Sequence, residues 1–152
     1  MLALTALDQI TKKAAESLAS SPSLLIPGVF ELRYFENHGA AFSLLQNQFT
    51  VFYIGTAVIL SLILYTLIRV PETARYRFLR FDLLLVAAGA VGNLIDRLVY
   101  HYVRDFIYVA LIDFPIFNVA DMYVTVGAFL FAFLLLFYYR DEEFGFLKKK
   151  AG

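Results

Sequence analysis

The chain has 152 residues, 61% of them hydrophobic and 17% charged, with a mean hydropathy of +0.69. A soluble domain carries about 45–50% apolar and about 25% charged residues, so this apolar surplus does not fit inside so small a globule and calls for lipid. Thirteen basic residues balance thirteen acidic ones and cysteine is absent, which argues against a nucleic-acid footprint and removes disulfides, thiolate nucleophiles and cysteine-ligated metals.

The N-terminus has neither the basic stretch nor the small-residue cleavage site of a secretory signal, so the apolar segments are expected to stay in the mature protein. Residues 2–7 are apolar, but Asp8, Lys12, Lys13 and Glu16 follow at once. Seven residues of helix before Asp8 cover only about 10 Å. The expectation for this first segment, about 1–19, is a span shortened by truncation or a misassigned start, rather than a half-inserted helix. Asp8 and Lys12 are four apart with the acid first, the spacing of a structural helical bridge.

Over about 20–47, Ser21-Pro22-Ser23 and Pro27-Gly28 mark turns, and Phe30, Leu32 and Tyr34 alternate with Glu31 and Arg33 as in a half-buried strand. A small sheet lying on the outer membrane face is expected. Phe49 to Ile68 is twenty residues without a charge, enough to cross about 30 Å of hydrocarbon as a span of about 49–69. A loop follows at 70–79. The next span, about 80–97, is shorter unless Arg80 and Asp82 snorkel to the interface, and its Ala87, Ala88, Gly89, Ala90 and Gly92 allow close helix approach. Tyr100, Tyr102, Phe106 and Tyr108 suit the outer segment 98–118 to the membrane interface. The last span is about 119–139, with a tail at 140–152. Eight basic residues in the 69–80 connection and the tail, against five elsewhere, place those two segments in the cytoplasm.

Acids at membrane depth are costly, and Asp96, Asp105, Asp113 and Asp121 gather at the outer ends of the last two spans. Asp121 reads either as a catalytic group or as a first-turn acid beside an Asn118 N-cap, and the two roles are compatible. Asp105 is a catalytic candidate or a loop acid paired with Arg104. Asp96 with Arg97 reads as an interfacial ion pair, and Asp113 as a loop acid. His38 and His101 stand alone, without a His-Glu-x-x-His, so no metal site is expected, and a serine mechanism lacks its parts. Paired carboxylates remain.

Five polar blocks resemble the lipoprotein signal peptidase (signal peptidase II) family, in the family's order. They are Leu7-Asp8-Gln9-Ile10-Thr11-Lys12, Glu36-Asn37-His38-Gly39-Ala40-Ala41-Phe42-Ser43, Gly89 to Arg97, Val103-Arg104-Asp105-Phe106-Ile107, and Phe114 to Asp121. The resemblance implies an all-α integral membrane protein forming a single membrane domain. It would comprise a four-transmembrane-helix bundle with a small extracytoplasmic β-cradle, and an interfacial helix within 98–118. It implies an aspartyl endopeptidase of the bacterial inner membrane with Asp105 and Asp121 catalytic and no cofactor. The substrate would be a diacylglyceryl prolipoprotein cut just before its lipidated Cys, membrane lipid a partner, and globomycin-like cyclic peptides inhibitors. Asn93 and Asn118 would orient the acids or the substrate backbone, Arg97 would brace the loop or meet lipid phosphate, and Asn37 would line the cradle edge. The short run before Asp8, and Met122 where many members have Ser, depart from the family pattern. The rival reading is a small ion or proton transporter, which would want ionisable groups spread through the membrane depth rather than collected at one face.

Overall fold

The computed structural model describes residues 1–39 and 49–147. Residues 40–43 of the Asn-x-Gly-Ala-Ala-Phe block, the end of the expected cradle and the basic residues 148–150 lie outside the described residues. Four helices form the body: α1 (Leu2–Ala15), α2 (Phe49–Arg69), α3 (Arg77–Tyr100) and α4 (Val119–Phe133), the last prolonged by a π-helical turn, Leu134–Tyr138. Among the described residues, the three long ones, α2, α3 and α4 with its extension, have the length and apolarity to cross a membrane. The 14 residues of α1 cover about 21 Å, short of the hydrocarbon thickness.

The polarity of α1 is reversed relative to a soluble helix. Thr5, Asp8, Lys12 and Ala15 form its buried stripe, while Leu2, Leu7 and Ile10 are exposed. Lipid is the solvent that favours such an arrangement, because apolar side chains cost nothing there and polar ones must find partners inside. The central helix is α3, packed against α1, α2 and α4. Its two glycines set the approach. A Cβ on Gly89 would collide with the Ala120 carbonyl of α4, and one on Gly92 with the Asp8 carboxylate of α1.

A three-stranded antiparallel sheet, ordered β1 (Ser23–Ile26), β2 (Phe30–Asn37), β3 (Val103–Tyr108), covers one end of the bundle. The β1–β2 connection closes with Val29 N–H donating to the Ile26 carbonyl at 2.9 Å, and Gly28 takes φ +73°, which follows from a Pro-Gly turn. The interfacial helix expected within 98–118 is not what forms there. His101 ends α3 in a left-handed conformation, Val103–Tyr108 becomes the third strand, and Ala110–Ile112 adds a single 3-10 turn. Aromatic and β-branched side chains favour a strand once β2 offers an open edge, whose N–H and C=O groups are then satisfied by β3.

At the opposite end, Arg75 donates to both Glu143 carboxylate oxygens, from Nε at 2.7 Å and Nη2 at 2.9 Å, and to the Tyr138 carbonyl at 2.6 Å. That last contact satisfies a carbonyl at the end of the π-helical turn. The Arg75 guanidinium holds the Glu143 carboxyl down to about 2.

Arg80 does reach an exposed partner, Glu72, at 3.0 Å, but Asp82 does not snorkel. It is fully buried between α3 and α4, over Gly127, with neither carboxylate oxygen hydrogen-bonded among the described residues. Snorkelling needs a side chain directed along the helix surface toward water, whereas this one points at the neighbouring helix. Removing an unpartnered buried acid relieves its desolvation cost. Asp82→Val is therefore expected to stabilise the protein by about 1–3 kcal/mol, read as a higher thermal midpoint in detergent. An unchanged or lower midpoint would show that Asp82 has a partner.

Candidate active site

The site begins with the period of β3. Successive strand residues face opposite sides, so Arg104 and Asp105 diverge and do not pair with each other. Asp105, opposite Phe35 of β2, accepts from Asn37 Nδ2 at 2.8 Å. On the far side of β3, Ile107 and Phe117 exchange backbone hydrogen bonds of 2.8 and 3.0 Å, and Phe106 N–H adds a third at 3.0 Å. This short bridge carries Asn118, the next residue along, to Asp105.

Asn118 is the N-cap of α4. Its Oδ1 accepts from Asp121 N–H at 3.0 Å, and Asp121 Oδ2 accepts from Asn118 N–H at 3.0 Å, a reciprocal capping box. The capping role read from the sequence for Asp121 is therefore present. The same Asn118 side chain uses its Nδ2 to donate to Asp105 Oδ1 at 2.6 Å and to Asn93 Oδ1 at 3.1 Å. Asn93 in turn donates to Asp121 Oδ1 at 2.7 Å. Each of the four carboxylate oxygens thus receives a hydrogen bond, and one asparagine touches both acids.

The two acids face a cleft of about 1380 Å³ that runs from β2 and β3 down between α2, α3 and α4. Its polar end holds Asn37, Asn93, Arg97, Asp105 and Asp121, and its floor is apolar, with Ile59, Val86 and Val124. Burial, with the nearby Asp121 charge second, pushes the Asp105 carboxyl up to about 7 against the opposing bonds from Asn37 and Asn118.

Behind the cleft lies an ion network that shares residues with its wall. Lys12 Nζ meets Asp8 Oδ2 at 3.0 Å, Asp96 Oδ2 at 3.3 Å and Asn93 Oδ1 at 2.8 Å, and it is inaccessible to solvent. The structural bridge expected between Asp8 and Lys12 is thus one edge of a larger cluster. Asp8 Oδ1 also accepts from Ala120 N–H at 2.9 Å, in the first turn of α4. Asp96 pairs with Arg104 at 2.7 Å rather than with Arg97, because side chains adjacent in a helix point about 100° apart. Arg97 instead lies 4.3 Å over the Phe52 ring, its carbonyl accepting from Tyr53. Asp113 stays outside the cluster and accepts from Tyr108 at 2.6 Å. Gln9 and Glu16, bonded into the network through Arg104, have no role in the sequence reading, and Arg104, read there as a partner for Asp105, pairs with Asp96 instead. Strand alternation at 103–108 is the signal that separates Arg104 from Asp105.

Apolar helices exposed to their surroundings, and two hydrogen-bonded carboxylates facing a cleft between them, define a membrane protein with an acidic site at one end of its bundle. A family model described as signal peptidase (SPase) II matches residues 1–137. The lipoprotein signal peptidase of Streptococcus pyogenes serotype M1 is 40% identical over 147 residues, covering 95% of this chain and 93% of the relative. That of Streptococcus thermophilus strain CNRZ 1066 is 41% identical over 145 residues, covering 94% and 92%. Two solved structures, both described as bacterial membrane enzymes studied by the in meso method, superpose with TM-scores of 0.79 and 0.76 at 32% and 34% identity. They cover 99% and 90% of this chain, and 90% and 89% of their own. The chain belongs to the signal peptidase II family, a family of proteases.

Because Asn118 is both the helix cap and a link to Asp105, Asn118→Ala is expected to lower stability by about 1 kcal/mol through the lost cap. The thermal midpoint should fall accordingly, and no change would mean that solvent or another group replaces the cap.

Proposed function

We propose that the protein is an aspartyl endopeptidase that removes the signal peptide from diacylglyceryl-modified prolipoproteins, cutting just before the lipidated Cys. The observation that carries this reading is the joining of Asp105 and Asp121 through Asn118 at the polar end of an otherwise apolar cleft. Asp82 apart, the buried acids among the described residues gather at one end, which favours surface chemistry over a transporter's relay.

Asp105 holds the shared proton, which its upward shift to about 7 favours. Asp121, in the first turn of α4 where negative charge is welcome, is the ionised partner. Asp121 takes a proton from a water whose oxygen attacks the scissile carbonyl, while Asp105 hydrogen-bonds the carbonyl oxygen. The tetrahedral intermediate collapses as the proton on Asp121 passes to the leaving amine, which becomes the new N-terminus at Cys. The signal peptide departs with a new carboxylate.

Asn37, Asn93 and Asn118 keep the acids in place, and Arg97, which lines the polar end of the cleft, takes up a lipid phosphate. The lipid chains of the substrate lie along the apolar floor, and a globomycin-like cyclic peptide competes for the same space. In this reading α1 takes the place of the first of four spans, and the sheet lies on the outer face of the bacterial inner membrane.

Cleavage of a diacylglyceryl lipobox peptide in detergent tests the proposal. Asp105→Asn and Asp121→Asn are each expected to lose activity by at least about 10³-fold while remaining folded, and retained turnover in either would remove the dyad. The profile of kcat/KM against pH should be bell-shaped. Loss of the Asp105 proton sets the alkaline side, so activity should fall as pH rises through about 7. A profile flat from pH 5 to 9 would contradict the shared-proton mechanism.

A further inference from the structure

Lys12 is a buried cation that the mechanism above does not use. Its ammonium has three N–H groups and three acceptors: Asp8 and Asp96, which neutralise charge, and Asn93 Oδ1, which does not. The third contact is informative because an amide has two different ends. Asn93 Oδ1 receives both Lys12 Nζ at 2.8 Å and Asn118 Nδ2 at 3.1 Å, so its Nδ2 is the end left to face Asp121 Oδ1 at 2.7 Å. Turned over, the amide would set its NH2 against the Lys12 ammonium and the Asn118 NH2, and its oxygen against a carboxylate. All three contacts would become repulsive. Lys12 and Asn118 together therefore dictate which face Asn93 shows to the dyad.

We propose that Lys12 is a positioning residue of the catalytic pair: by fixing the orientation of the Asn93 amide, it keeps a donor on Asp121 and so keeps that carboxylate the ionised, base member. The titratable and charged groups around Asp121 and Asn93 are Asp105, Arg97, Asp8, Asp96 and Lys12 itself. Of these, only Lys12 hydrogen-bonds the Asn93 side chain, among the described residues. This inference rests on the dyad reading.

The test must separate positioning from the need to neutralise Asp8 and Asp96. Lys12→Met combined with Asp8→Asn removes one positive and one negative charge together. The Asp96–Arg104 pair stays, and so does an oxygen for Ala120 N–H. Asp8→Asn alone is the control, since it loses an ion pair but keeps the Lys12–Asn93 contact. The measurement is kcat/KM against pH for lipobox-peptide cleavage, with thermal midpoints alongside. In the double variant the acid limb is expected to move up by about one pH unit, in line with losing a donor to the ionised form. In Asp8→Asn it stays where it was. In an Asn93→Ala background the Lys12 change should move the limb no further. An unmoved limb in a folded double variant, or an equal shift in the control, overturns the proposal.

If the double variant does not fold, Asn93→Ala on its own supplies the answer. It removes the N–H facing Asp121 without adding a charge, so the acid limb must rise, and an unmoved limb overturns the proposal there too. Failure of the dyad reading itself would show separately, as activity surviving Asp105→Asn or Asp121→Asn.

Discussion

The burial of Lys12 among Asp8, Asp96 and Asn93 is the constraint on which the rest of the structure hangs. Asp8, Lys12, Asp96 and Arg104 form a chain of ion pairs in which opposite charges alternate, with Glu16 on the outer side of Arg104. Removing one partner from such a buried cluster typically costs about 3–5 kcal/mol, since the remaining charge has nowhere to be solvated. The cluster ties α1 to α3 directly, α1 to α4 through Ala120, and α3 to β3 through Arg104. Gly92 is what lets the Asp8 carboxylate reach this position, so a missing side chain on one helix makes room for a charge from another.

From that anchor the site follows by backbone geometry. Once α3 and α4 are held, the two hydrogen bonds between Ile107 and Phe117 bring the strand with one acid against the turn with the other. Asn118 then serves three neighbours at once: the first turn of α4, Asp105 and Asn93. A helix cap is a rigid mount because its geometry is fixed by the N–H groups it must satisfy. Mounting a carboxylate in a capping box makes its position a by-product of helix formation.

Composition disclosed the membrane character of the chain, because the cost of leaving Phe49 to Ile68 in water depends on side chains and not on partners. That run lies wholly within α2. The acids at 105 and 121 stood out for the same reason, as charges beside apolar stretches. What the sequence withheld were choices of partner. Asp96 lies next to Arg97 in the chain but pairs with Lys12 and Arg104, which are distant in sequence or reached only across the α3–β3 turn. Segment 98–118 has the amphipathic aromatics of either an interfacial helix or an edge strand, and only the open side of β2 decides between them. The distance of Asp82 along α3 leaves the interface open to it as one option. Depth along a helix does not reveal which face a residue occupies, and its face meets Gly127.

Asp121 occupies the first turn of a helical stretch, Val119–Tyr138, of 20 residues, so the whole length of that rod, about 30 Å, lies to one side of the carboxylate. An apolar rod settles in a bilayer by matching its length to the hydrocarbon thickness. The acidic pair is thereby held at a set height above the bilayer midplane, and a thicker or thinner membrane moves it with respect to the headgroups while leaving its internal hydrogen bonds untouched. The helix acts as a depth gauge, and for the proposed peptidase lipid composition becomes a variable that selects which part of a neighbouring chain lies level with the two carboxylates.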